Sequence, residues 1–326
     1  MGSAAKPVVC IVTPGTRSAN NGNWRTASRW AEMLCDRYEV IVQTAWDGND
    51  AHAMIALHAR RSAASIQAFG ERAPGRGLAV VLTGTDLYKD LANHSAEAAQ
   101  SLDLADRIVV LQDDAPHLLQ ARWRRKAEVI FQSAHALARR HKSRERLNCV
   151  VVGHLREEKD PRTLFRACEL LPEGVPIHIR HIGAPLDPDL GQLAHALAAR
   201  DPRYRYTGPL SRGLTRAAIG AAHLLIHPSV IEGGANVIVE AITASTAVLA
   251  SRIGGNVGML GRDYPGYFEA GDESGLARRL VQAWNDSAYR RSLDLACARR
   301  KPLFTPAREA RAIRELARSL VAQGRA

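Results

Sequence analysis

Short apolar runs separated by amphipathic stretches recur along almost the whole chain. Residues 7–13 form a β-branched run ending at Pro14-Gly15, and residues 40–44, 78–83, 107–111 and 128–131 repeat that strand pattern. Between them, residues 24–37 and the alanine-rich stretch 51–69 have helical spacing. Apolar runs of this length bounded by turn formers read as strands buried on both faces. Their alternation with helices predicts a parallel sheet built from right-handed crossovers. The cycle lapses over 134–146, where Arg139-Arg140-His141-Lys142-Ser143-Arg144-Glu145-Arg146 has no apolar period and reads as a linker. It then restarts, with strands predicted at 147–152, 177–182, 204–207, 223–226 and 248–251 and helices at 161–171, 190–199, 214–222 and 235–244. Residues 274–322 read as mostly helical, broken at Pro302 and Pro306.

This pattern predicts an α/β fold of two doubly wound domains, 1–143 and 144–304, with a C-terminal helix over 305–326 packing back towards the first. A length of 326 residues gives each domain enough chain for its own core. Ligands of such sheets lie beyond the carboxyl ends of the strands, so the two domains are expected to face each other across a cleft lined by those ends.

Charge alters this picture little. The formal net charge is +11, but 38 of the 44 basic residues are arginines scattered through the chain, which reads as a solvated surface. With 5% aromatic residues and no reader motif, nucleic acid is not an expected partner. Residues 117–126 mix Leu118, Leu119 and Trp123 with Arg122, Arg124, Arg125 and Lys126, a basic amphipathic patch that would suit a membrane surface if the acceptor were a lipid. No stretch reaches transmembrane length and no stable membrane association is expected. Five cysteines without a C-x-x-C pair read as reduced thiols of a cytoplasmic protein.

The most informative stretch runs from His227 to Ala241, in which Glu232 precedes Gly233-Gly234-Ala235-Asn236 and Glu240 follows seven residues after Glu232. A strand, a turn and a helix start bring backbone amides and a positive dipole end to one place, which suits the hydroxyls and phosphates of a nucleotide sugar. Gly254-Gly255, after the next strand, adds a second amide-rich turn on the same edge. At the end of strand 147–152 stands Gly153-His154-Leu155-Arg156-Glu157-Glu158-Lys159-Asp160-Pro161, with Asp160 placed as a helix cap. In the first domain, Gly15-Thr16-Arg17-Ser18-Ala19-Asn20-Asn21-Gly22-Asn23 with Arg25 is a glycine-containing loop entering a helix, suited to an anionic acceptor. Thr85 and Asp86 follow the strand at 78–83, and Asp86 is the expected residue for acceptor positioning or base work. Asp187-Pro188-Asp189 mimics a metal-binding D-x-D but sits where an aspartate caps a helix, and no histidine or cysteine grouping has metal spacing, so no metal is expected.

The paired glutamates resemble the E-x7-E signature of the retaining GT-B glycosyltransferases of the family-4 type. That resemblance implies that Glu232 lies at the transferred sugar, that Glu240 binds the ribose, and that Gly233, Gly234, Ala235 and Asn236 line the sugar. Lys159 matches the lysine of the family's G-R-L-x-x-x-K segment, which neutralises the diphosphate. His154 stands where that segment has arginine, so either Arg156 supplies the second charge or Lys159 acts with helix amides. The family pattern carries a bulkier residue where this chain has Gly234-Ala235. More narrowly, Thr13-Pro14-Gly15-Thr16 with the Asn-rich loop, the segment from Leu82 to Tyr88, and Glu232-Gly233-Gly234-Ala235-Asn236-Val237 are similar to the selenosugar synthases of bacterial selenoneine biosynthesis. This implies a UDP-sugar donor (UDP-glucose or UDP-N-acetylglucosamine), selenophosphate as acceptor and no cofactor. Gly15, Thr16, Arg17, Asn21, Gly22, Asn23, Arg25 and Thr85 would lie on the acceptor side. A transferase to an ordinary sugar or lipid acceptor is the alternative.

Overall fold

A computed structural model describes residues 5–16, 22–138 and 140–323. The chain forms two compact units, Met1–Gln132 with Pro306–Ala326, and Ser133–Thr305. In the first, β1 (Val8–Val12), α1 (Gly22–Leu34), β2 (Glu39–Gln43), β3 (Ala53–Leu57), α2 (Ala63–Arg72), β4 (Gly77–Leu82), α3 (Ala96–Leu104), β5 (Arg107–Val110), two short helices, α4 (Ala115–Leu118) and α5 (Ala121–Arg124), and β6 (Ala127–Val129) follow in order. Every strand pairing is parallel, in the order β2-β1-β3-β4-β5-β6. Alternate residues of one strand enter different cores: Cys10 and Val12 pack with Met54, Phe69 and Leu102, while Val9 and Ile11 pack with Trp30, Ile55 and Leu57. A sheet covered on both faces needs apolar residues at both parities, which is why these strands show no polar alternation.

The stretch 51–69 departs from the helix expected of it. Ala53–Leu57 is a strand with all five residues buried, and the helix begins only at Ala63. Alanine favours a helix in isolation, but five apolar residues in a row fit the slot between β1 and β4, and burial there outweighs propensity. The division between units falls at 132/133, so the polar stretch 134–146 belongs with the second unit.

That unit contains β7 (Leu147–Val152), α6 (Pro161–Glu169), β8 (Ile177–Ile182), α7 (Pro188–Arg200), β9 (Tyr204–Tyr206), α8 (Arg212–Ala221), β10 (Leu224–His227), α9 (Asn236–Thr243), β11 (Ala247–Ser251), α10 (Gly254–Leu260), β12 (Tyr267–Phe268), α11 (Glu273–Asn285) and α12 (Ser287–Arg300). Its sheet is again wholly parallel, ordered β12-β11-β10-β7-β8-β9. Asp187 accepts from the amides of Asp189 and Leu190, capping α7. The last helix, α13 (Pro306–Gln323), is part of the first unit, where Ile313, Leu316 and Leu320 join the core on the Trp30 side of the sheet. A β-carbon on Gly77 would stand 2.4 Å from the Leu320 carbonyl oxygen, so α13 lies directly on the start of β4.

Residues 117–126 do not form the basic amphipathic patch that a lipid acceptor would suit. Leu119 and Trp123 are buried. Arg124 donates to the carbonyls of Pro116, His117 and Leu119, and Lys126 to those of Asp103 and Ala105. Arg124 and Lys126 thus pin local backbone and Leu119 and Trp123 fill the core, leaving Leu118 as the exposed apolar residue of the patch. Among the described residues, no helix is long and apolar enough to cross a membrane.

Candidate active site

The strand order of the second unit reverses at β7, which lies between β10 and β8. At such a reversal the loops leaving two adjacent strands diverge to opposite faces and open a crevice. Here those loops carry Gly153 to Lys159 and Pro228 to Ala235. Residues 73 positions apart thereby meet: Lys159 Nζ donates to Glu232 Oε1 at 2.5 Å. His227, the last residue of β10, sets Nε2 3.0 Å from the same oxygen, though not aligned as a hydrogen bond. Burial alone would raise the carboxyl pKa of Glu232. The Lys159 ammonium, followed by His227, outweighs that penalty and holds the group well below the usual carboxylate range. Glu232 is therefore an anion at neutral pH.

The loop itself is fastened at several points. Val230 donates its amide to the Glu158 carbonyl at 3.0 Å, joining the two loops through backbone. Asn256 donates to the Ser251 carbonyl (3.0 Å) and hydroxyl (3.1 Å), and Ser251 donates to the Ser229 carbonyl at 2.5 Å, all within the core. Gly255 lies against Glu232 so closely that a β-carbon there would be 2.0 Å from the Glu232 carbonyl oxygen. Backbone cannot yield as a flexible side-chain tip can, so Gly255→Ala must displace the glutamate. We expect it to lower transfer at least about tenfold while costing about 1–3 kcal/mol of stability, read from kcat and a thermal melt. An alanine variant with wild-type kcat would mean that the position of Glu232 does not matter.

Glu240 sits in the second turn of α9 and is buried. The cation whose field reaches it is Arg216 on α8, which donates to the His135 carbonyl at 2.5 Å. Gly233 and Gly234 form the bend before the helix, Ala235 is its N-cap residue and Asn236 opens it. Gly254 and Gly255 begin α10. On the β7 side, His154 Nδ1 accepts the Ala184 amide at 3.0 Å, which fixes the ring against β8 and, in the neutral tautomer, leaves the proton on Nε2. Arg156 is exposed beside Glu158 at 3.8 Å, an arrangement of little energetic weight. Asp160 adopts a left-handed conformation, φ 42°, and caps α6 through Thr163.

In the first unit Asp86, expected to position the acceptor or act as a base, is engaged by its own loop. Its carboxylate is fully buried and accepts from four backbone amides: Thr83 (2.8 Å), Gly84 (2.8 Å), Leu87 (3.1 Å) and Ala59 (3.1 Å). A carboxylate so occupied fastens the loop after β4 to the turn after β3 and has no open face for a substrate proton. Of the glycine-containing loop, Gly15 is buried at the end of β1 and Thr16 is exposed. Gly22 and Asn23 begin α1, with Arg25 one turn in. Arg17 and Asn21 lie outside the described residues. His227, Ser251 and Asn256 take part in this arrangement although no motif marks them in the sequence. Their sequence signal is slight, because contacts across neighbouring strands leave no local spacing.

Residues 146–286 match the family model described as glycosyl transferases group 1. The chain is similar to HepE from Anabaena, solved with UDP and glucose (TM-score 0.75, 15% identity, 96% of this chain and 100% of that one). It is also similar to sucrose-phosphate synthase from Thermosynechococcus elongatus (0.76, 16%, 97% and 99%). The pneumococcal O-GlcNAc transferase GtfA, solved with UDP and GlcNAc, is a third (0.66, 16%, 82% and 57%). Among curated proteins, no sequence match was found. The fold is GT-B, and residues 146–286 are similar to the group 1 glycosyl transferases.

Proposed function

We propose that the protein transfers the sugar of a UDP-sugar, UDP-glucose or UDP-N-acetylglucosamine, to the selenium of selenophosphate. The observation that carries the donor half is the Lys159–Glu232–His227 cluster at the reversal of the second sheet. In this reading Glu232 accepts from sugar hydroxyls, Glu240 from the ribose, and Lys159 turns to the diphosphate with the amides that open α9 and α10. Among the described residues no hydrogen bond engages the Glu240 carboxylate, which suits that role. HepE and GtfA, crystallised with UDP, lend support to a uridine nucleotide. Selenophosphate is supported by the combination of Thr13-Pro14-Gly15-Thr16, Leu82 to Tyr88 and Gly234-Ala235.

Selenium attacks the anomeric carbon, the C–Se bond forms, and the bond from that carbon to the UDP oxygen breaks with its electron pair leaving on UDP. Selenium is soft and already anionic, so the step needs stabilisation of the leaving group more than a base. This agrees with an Asp86 that is locked in its loop. Water then cleaves the P–Se bond, giving phosphate and the 1-selenosugar. The test is a panel of UDP-sugars with selenophosphate or thiophosphate, followed by mass spectrometry. A sugar product with the selenium isotope pattern, formed with one UDP released, is expected. UDP released equally without selenophosphate, with no selenium in the product, refutes the acceptor.

A further inference from the structure

The first unit has a polar edge that the donor chemistry does not use. Its strand order reverses between β1 and β3, and ligands of open parallel sheets occupy the crevice beyond the carboxyl ends at such a reversal. Thr13 follows β1, His58 follows β3, and Thr85 stands three residues past β4. His58 is buried and left-handed, φ 71°, a conformation that histidine keeps only when surrounding contacts offset its cost. Its Nδ1 accepts the Arg61 amide at 3.3 Å, while Asp86 Oδ2, at 3.8 Å, is beyond hydrogen-bond reach. Burial, the largest influence, lowers the pKa of the ring; Asp86 and Asp90 oppose this, and Arg61 and Arg60 add to it. The ring is therefore neutral, and with Nδ1 accepting, its proton is on Nε2.

His58 Nε2 lies 2.9 Å from Thr85 Oγ1. With the proton on Nε2, the imidazole donates and the hydroxyl oxygen accepts. The threonine's own proton is then directed away from His58, and among the described residues no acceptor takes it. On the neighbouring strand end, Thr13 Oγ1 is fully buried and without a partner. A buried hydroxyl left unpaired costs stability unless something else satisfies it. Of the carboxylates near this edge, Asp86 is engaged by four amides, while Asp90 pairs through Oδ1 with Arg60 at 2.9 Å and its Oδ2 is buried without a hydrogen-bond partner. Arg61 is exposed and makes no ion pair among the described residues.

The geometry points to Thr85 as a hydrogen-bond donor to an oxyanion oxygen of the acceptor, with His58 as the positioning residue that holds its hydroxyl in the donating orientation. Hydroxyl donors and an uncommitted guanidinium select a tetrahedral oxyanion such as a phosphoryl group. This rests on the reading of the first unit as the acceptor half, and extends it to residues and a ligand chemistry.

The test titrates inorganic phosphate calorimetrically into the full chain, with UDP saturating the donor side. Thr85→Val should weaken phosphate about tenfold, and Thr85→Ser should stay within about threefold of wild type. His58→Asn, a residue that tolerates the left-handed region, should weaken binding about fivefold and keep the wild-type melting temperature within a few degrees. Imidazole 15N spectra should show His58 protonated on Nε2, a readout that a merely structural histidine would not require. The inference is overturned if the wild type binds no phosphate, if Thr85→Val binds as wild type does, or if the His58 proton is on Nδ1. Phosphate binding that depends on Thr85, without transfer to selenophosphate, refutes the proposed acceptor and upholds this site. Transfer to selenophosphate with phosphate binding indifferent to Thr85 does the reverse.

Discussion

Lys159→Ala is expected to reduce sugar transfer by about 10²–10³-fold, the effect of removing one preorganised charge from a developing anion. The same substitution strips Glu232 of its main counter-charge. Glu232 is buried and its carboxyl is held well below the ordinary range chiefly by that ammonium, so the variant also loses about 2–3 kcal/mol of stability. Lys159→Arg should recover stability more than activity, because the fork keeps the ion pair but cannot reproduce a compact point charge at a phosphate. A Lys159→Ala protein with undiminished kcat would remove Lys159 from the reaction. The sign of the pH dependence follows from the direction of the Glu232 shift. A carboxyl lowered from 4.5 stabilises the fold fully above that value, and the contribution is lost as pH falls towards its folded-state value. Glu232→Gln should therefore flatten the fall in melting temperature between about pH 5 and about pH 3 relative to wild type. Parallel wild-type and variant curves over that range would contradict the assignment.

Glu309→Ala should destabilise the first unit by about 3–5 kcal/mol and lower its melting temperature by about 10 °C. Glu309, in the first turn of α13, is buried and accepts from Arg29 Nε at 3.0 and 2.9 Å and from Trp30 Nε1 at 2.8 Å. Its loss leaves the Arg29 guanidinium, whose side chain is 15% exposed, without a counter-charge, and the Trp30 N–H without an acceptor in the core. Glu309→Gln keeps an acceptor oxygen and should cost less than half as much. A calorimetric scan separates these outcomes, and a Glu309→Ala midpoint within about 2 °C of wild type would show that apolar packing alone holds α13. The link to function is short, since Arg29 lies one turn after Arg25 on the helix that follows the glycine-containing loop.

Much of the architecture was legible in the chain because a sheet buried on both faces writes itself as repeated apolar runs, and helices between such runs can only wind them in parallel. The stretch 51–69, expected to be a helix, fails for a physical reason. Ala53–Leu57 carries no period that separates strand from helix, and only its slot between β1 and β4 decides the matter. The donor loop was legible for a different reason. Its glutamates, glycines and helix start are adjacent in sequence, so their chemistry shows in local spacing. Asp86 and His58 were not legible in this way. An aspartate after a strand looks the same in sequence whether it faces a substrate or four backbone amides, and His58 meets Thr85 only because β3 and β4 are neighbours. What the sequence determined by itself was the class of fold and the residues available at each strand end, because both follow from local pattern and burial. Which of those residues are spent on holding loops, and which, like Lys159 with Glu232, are brought together across the chain, was decided by strand order alone, because hydrogen-bond geometry over a few ångströms has no counterpart in sequence distance.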